Sequence, residues 1–162
     1  MSTDLDARLR DLLDRDEISR KLVAYTRALD THDWKALEDI FLPDAVADYE
    51  IAGSNDGLEE IIETCKTALC GLTSSQHLLG NIVVEVEGDE ATASCYLHAQ
   101  HYLVSGNGVN TFVVAGTYTD RFVRTDAGWR IEHRHLSTTW TDGNAGIFAE
   151  AAARLDSGEA SR

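Results

Sequence analysis

The sequence predicts an α+β fold, with its helices first and its sheet second. Three observations carry this reading. Apolar residues recur every three or four positions through the first third of the chain. From residue 78 the apolar period becomes two. Short turn-rich connectors then divide the period-two region into four segments.

Leu5, Leu9, Leu12 and Leu13 recur at helical spacing, and Ile18, Leu22, Tyr25 and Leu29 resume the pattern after a charged stretch at residues 14–17. That stretch reads as a break, with Asp16 as N-cap of the second helix. A short third helix is expected through Trp34, Leu37, Ile40 and Phe41, ended by Pro43. Residues 45–51 read as a strand, and Gly53 with residues 55–57 as a turn. Residues 58–69 read as a helix with Leu58, Ile61, Ile62, Cys65 and Leu69 on one face. Four strands follow at 79–86, 91–104, 111–124 and 129–139, joined at residues 87–89, 105–108 and 126–128. Long antiparallel strands on short turns make a strongly curled sheet, and the preceding helices must cover one of its faces. Residues 145–155 suit a last helix. One domain is expected over residues 1–155, with a frayed tail at 156–162.

The chain has 162 residues, 43% hydrophobic and 26% charged, enough for one domain with a real core. Its net charge is −14, from 28 acidic and 14 basic residues. That balance argues against nucleic-acid partners and polyphosphorylated substrates, while a small uncharged ligand is indifferent to it. Cys65, Cys70 and Cys95 form no CxxC pair and are odd in number, so free thiols in a reducing cytoplasm are expected rather than a disulfide framework. The start, MSTDLDARLR, lacks the apolar stretch of a signal peptide, and no run approaches the ~20 apolar residues of a membrane span.

Three features could carry chemistry. Tyr25 and Asp30 lie five positions apart at a predicted helix end, His77 stands where helices give way to sheet, and Tyr49 ends a predicted strand. Histidine accepts a proton near neutrality without special tuning. A carboxylate bonded to its other ring nitrogen fixes the tautomer and stabilises the imidazolium that forms. Near a helix C-terminus the dipole disfavours the charge of Asp30, so an adjacent cation would hold it. Phenols at Tyr25 and Tyr49 could donate to a carbonyl or a departing hydroxyl. Each residue also has a plain structural role open to it: Asp30 bonding backbone at a turn, His77 in a satisfied core, Tyr25 as core.

The order of these elements resembles the SnoaL-like family of the nuclear-transport-factor-2-like superfamily: a helical run with tyrosine, four residues and aspartate, a short helix, Pro43-Asp44-Ala45-Val46, a strand, a helix and a lone histidine before four strands. The resemblance spans roughly residues 5–142 and is nearest the subgroup of bile acid 7α-dehydratase, hexachlorocyclohexane dehydrochlorinase and scytalone dehydratase. It implies a cone-shaped fold around an apolar pocket, no cofactor, and an Asp–His pair for proton abstraction and elimination, which would be Asp30 and His77. The pocket tyrosines would be Tyr25 and Tyr49. The activity so implied is a cofactor-free, dehydratase-type lyase acting on a small hydrophobic cyclic substrate.

Alternatives stay open. An isomerase or polyketide-type cyclase could use the same pocket, although Tyr49 stands where ketosteroid isomerase needs its base carboxylate, with Asp48 beside it. A non-catalytic binding or assembly domain is the third reading. A metal site is not expected. His133 and His135 share a strand face, but His98 and His101, three apart, point to opposite faces, and nothing says which face meets the pocket. Trp129 reads as core. Strands apolar on both faces, as at Phe112, Val113 and Val114, predict a homodimer or homotrimer packed sheet against sheet. No P-loop, Rossmann glycine fingerprint or GxSxG elbow is present.

Overall fold

A computed structural model describes residues 2–104 and 110–157, so the connector expected at 105–108 and residues 158–162 of the expected tail lie outside it. Helix α1 (Ser2–Thr31) is unbroken over 30 residues, where two helices were expected. The charged residues taken for a break are its anchor. Asp14 is buried and accepts two hydrogen bonds from Arg124, at 2.7 and 2.8 Å, and one from the Trp129 indole at 3.1 Å. Glu17 accepts from the Trp129 backbone N–H at 2.8 Å. Carboxylates that bind the sheet in this way need no helix end to satisfy them.

Continuity has a second consequence. Ile18, Leu22, Tyr25 and Leu29 face the core and are almost wholly buried, while Leu5, Leu9, Leu12 and Leu13 are 53–66% exposed. The four leucines therefore share the helix with the core-facing residues but do not belong to the core.

After α1 a 3₁₀ helix, Trp34–Asp39, replaces the expected third α-helix; the Asp33 carboxylate caps it by accepting from Ala36 N–H. Phe41 opens strand β1 (Phe41–Tyr49), and Pro43 lies inside it rather than ending a helix. Proline is tolerated because the pairing to the neighbouring strand shifts register between Phe41 and Val46. The expected turn around residue 55 is partly a strand, β2 (Gly53–Asp56), which Asn55 ties to Ala47 O at 3.2 Å. Helix α2 (Leu58–Leu69) follows, with Ile61, Cys65 and Leu69 buried, as its spacing predicted.

Strands β3 (Ser74–Glu87), β4 (Glu90–Tyr102), β5 (Thr111–Thr125) and β6 (Gly128–Gly143) form the long hairpins. β3 starts five residues before the expected 79, because Ser74 already pairs with Tyr102. His77 thus sits within a strand, opposite Ala99. The sheet order is β2-β1-β6-β5-β4-β3, antiparallel except where β1 runs parallel to β6. Register shifts in the pairings of β1, β3 and β5 bend this mixed sheet into a curl, as bulges do. Helix α3 (Gly146–Ser157) takes in the first two residues of the expected tail. It lies so close to Gly71 that a Cβ there would come within 2.2 Å of the Ala151 carbonyl oxygen.

In β4 the inward phase is Ala91, Ala93, Cys95, Leu97, Ala99 and His101, and the outward phase includes Tyr96, His98 and Tyr102. Trp129 is wholly buried, as expected. All three cysteines are free thiols. No helix among the described residues is long and apolar enough to cross a membrane.

Candidate active site

Asp30 enters the site from the last turn of α1 and His77 from β3. Asp30 Oδ1 lies 2.6 Å from His77 Nδ1, and Asp30 Oδ2 accepts the His77 backbone N–H at 3.0 Å. The Ser75 hydroxyl donates to Asp30 Oδ1, also at 3.0 Å. Strand geometry explains this grip: residues 75 and 77 share a face, so one carboxylate reaches both. A carboxylate only accepts, which places the imidazole proton on Nδ1 and leaves Nε2 with its lone pair free. Burial pushes the Asp30 carboxyl up, but the His77 ring, the His77 backbone and Ser75 together outweigh it and hold the carboxyl below its usual range. The His77 side chain is 5% exposed and that of Asp30 23%.

His101 completes this end of the molecule. Its ring meets that of His77 edge-on at 5.6 Å, and its Nδ1–H donates to the Phe112 carbonyl at 3.1 Å. Burial, with the neighbouring His77 ring second, lowers the His101 pKa to about 4. His101 is therefore a neutral ring at pH 7 whose Nε2 can only accept. Phe148 from α3 packs against both His101 (5.1 Å) and Phe112 (5.5 Å), closing the surroundings with apolar rings. Two surface hollows of about 410 and 530 Å³ lie elsewhere, lined by residues such as Glu85 and Phe122 in one and Asp14 and Arg124 in the other; neither holds Asp30 or His77.

Tyr25 and Tyr49 are brought together rather than to the Asp–His pair: their hydroxyls are 2.9 Å apart in the core. No hydrogen bond joins the two pairs among the described residues. Burial raises both phenols well above their usual range. Beside them Arg134, wholly buried, binds both oxygens of Asp120 at 2.7 and 2.8 Å. Its guanidinium is stacked on the rings of Tyr25 (4.0 Å) and Tyr118 (4.3 Å). Arg134 Nη1 has no hydrogen-bond partner among the described residues.

Sequence reasoning missed His101, Ser75 and the Arg134–Asp120 pair as parts of the interior. The pair had a signal: Asp120 shares the inward phase of β5 with Tyr118 and Phe122, and a buried carboxylate demands a cation. His101 had none, because its strand alternates cleanly and only packing decides which phase faces in. His133 and His135 share the outward face of β6, and His98 is exposed. No group of three or more His, Cys, Asp or Glu side chains among the described residues is placed to hold a metal ion.

A cone-like α+β cover over a histidine–aspartate pair defines the class of small, single-sheet proteins with an interior polar site. The chain belongs to the SnoaL-like domain family, whose model matches residues 10–135. It is 34% identical over 127 residues to an uncharacterised protein of Mycobacterium tuberculosis, covering 76% of this chain and 84% of that one. With the terrestric acid biosynthesis cluster protein E of Penicillium crustosum it shares 32% identity over 148 residues, covering 86% and 92%. A crystal structure of a Kribbella flavida protein superposes with a TM-score of 0.80 at 22% identity, over 86% of this chain and 99% of that chain.

Proposed function

We propose that the protein is a cofactor-free lyase of dehydratase type, acting on a small hydrophobic cyclic substrate in the cytoplasm. The observation that carries the reading is the 2.6 Å contact between Asp30 Oδ1 and His77 Nδ1. With Nδ1 engaged, His77 Nε2 takes a proton from a carbon acidified by a neighbouring carbonyl. Asp30 stabilises the imidazolium. The electron pair left on carbon forms the double bond as the β-hydroxyl departs, and the proton held on Nε2 leaves with it as water. His101 Nε2 accepts a hydrogen bond from a substrate hydroxyl, and the Tyr25–Tyr49 pair supplies a phenolic donor to an oxygen gaining charge. The resemblance to dehydratases and a dehydrochlorinase supports elimination, and the biosynthetic-cluster relative in Penicillium fits a small organic intermediate as substrate.

The Tyr25–Tyr49 phenol pair also favours a second reading, an isomerase or polyketide-type cyclase in which the same base forms an enolate that the phenols hold. A second copy, or two, covers the outer sheet face. The test is a panel of cyclic β-hydroxyketones followed by ultraviolet absorbance of the new conjugated double bond and by exchange of the α-hydrogen in deuterated water. Absorbance gain lost in His77→Ala supports elimination. Exchange without absorbance gain moves the protein to the isomerase reading, and neither signal across the panel overturns both.

A further inference from the structure

The two imidazoles of the site are shut in. The His77 side chain is 5% exposed and His101 6%, so nothing of substrate size reaches either ring until some element moves. Most of the surrounding elements are held in place. β4 lies between β3 and β5 and pairs with both along its length, and α1 is tied to β5 and β6 through Asp14 and Glu17. Helix α3 is different. It enters no strand ladder and meets the body along one stripe, Ile147, Phe148 and Ala151, of which Ile147 and Ala151 are almost wholly buried. Phe148 is its contact with the site: its ring is 5.1 Å from that of His101, which stands 5.6 Å from that of His77.

We infer that α3 is the door of the Asp30–His77 site, closed in this structure, with Gly71 as its seat and the turn at residues 143–146 as its hinge. The seat is a close backbone approach. Gly71 is buried in the connector between α2 and β3, and a Cβ added there would stand 2.2 Å from the Ala151 carbonyl oxygen and 2.9 Å from Ala151 Cβ. Helix α3 closes down fully only because that position carries no side chain. At the other end Gly143 has φ +100°, which turns the chain off β6 in a conformation that glycine adopts freely. Asn144 pins the root of the helix: its N–H donates to Thr111 O at 2.8 Å, and its Oδ1 accepts the Gly146 N–H at 2.9 Å. A helix pinned at its root and seated by one apolar stripe swings as a unit, which is how lids open without unfolding the body. Opened, α3 lifts Phe148 from His101 and admits an apolar substrate to the two free Nε2 atoms. Closed over the substrate, it keeps water from the imidazolium and its carboxylate partner while the proton is held. The inference rests on the Asp30–His77 pair being the site at which the substrate binds.

Carbethoxylation of the full chain by diethyl pyrocarbonate, followed residue by residue with mass spectrometry, tests this without a substrate. The reagent acylates an unprotonated imidazole nitrogen, and His77 and His101 each keep Nε2 free. The exposed His32 serves as internal standard, and labelling of the buried Cys95 thiol by an aromatic disulfide reports opening of the whole fold. In the parent chain His77 and His101 are expected to react far more slowly than His32. Gly71→Ala is expected to raise both rates about tenfold or more relative to His32, with Cys95 labelling unchanged. Phe148→Ala, which leaves the seat intact and removes the ring over His101, is expected to raise both as well, and it decides the matter if Gly71→Ala does not fold. Unchanged His77 and His101 rates in the folded variants, or parent rates equal to that of His32, would overturn the inference. So would acceleration of His101 alone, because α3 would then not control access to the base. A rise shared by Cys95 would mean that the whole fold opens, and would overturn it too. The elimination assay is independent of all these readings, so the door and the lyase fail separately.

Discussion

Asp30 accepts three hydrogen bonds, from the Ser75 hydroxyl and from the backbone and ring of His77, so its carboxylate has little freedom to turn. On the proposed mechanism His77→Ala loses about 10²–10⁴-fold in turnover, because the proton has no acceptor of suitable pKa. Asp30→Asn loses nearly as much, since an amide cannot stabilise imidazolium. Tyr25→Phe loses less, because Tyr49 remains 2.9 Å away as a donor. Steady-state rates on any substrate found check the order; a Tyr25→Phe loss exceeding that of His77→Ala would point to tyrosine acid–base chemistry. His101 supplies a prediction free of substrate. Its pKa is depressed to about 4 in the fold against an ordinary value of 6.5. The unfolded chain therefore binds a proton that the folded one refuses between these values, and stability falls as pH drops from about 6.5 to 4. In His101→Phe that part of the pH dependence is expected to vanish from urea titrations run across the window; an unchanged slope would show that another group sets it.

Among the elements, α1 and the sheet are tied at one point by several bonds: Asp14 to Arg124 and to the Trp129 indole, Glu17 to the Trp129 backbone, and Arg124 stacked over the Trp129 ring at 4.3 Å. The Arg124 side chain is 31% exposed, so solvent screens part of its charge. Asp14→Ala is expected to cost about 2 kcal/mol, chiefly by leaving the buried indole N–H and half the guanidinium unpaired. Chemical denaturation measures it, and a loss under about 0.5 kcal/mol would show that Glu17 alone holds the helix. This anchor also explains why the helix boundary was misread. Charged residues at 14–17 look like a break in a list of hydropathies, because a buried carboxylate is intelligible only once its partners, more than a hundred residues later, are in place. Helix α2 and strands β4, β5 and β6 were legible because each pattern is local: a 3.6 period, a period of two, and glycine turns.

At the scale of the molecule, the outer sheet face presents Leu78, His98, Ala115 and Trp140 in one cross-strand row, with Tyr96 beside it. Leu78, Tyr96 and Trp140 are 49–60% exposed. Light scattering at micromolar concentration is expected to give a dimer or trimer mass, and Trp140→Glu to shift it to the monomer. A monomer mass for the parent chain would remove the outer-face assembly.

By itself the sequence determined the fold class, the order of helices and strands, the inward phase of α2, and the residues from which the candidate Asp–His pair is drawn. These follow from periods, turns and residue chemistry that act within a few positions. Tertiary structure decided the continuity of α1, the parallel pairing of β1 with β6, and the extension of β3 that carries His77 to Asp30. It also decided that His101 points inward while His98 does not, and that the first four leucines point away from the core. A strand or helix has two faces that its own spacing cannot tell apart, and only the elements packed against it decide which one leaves water.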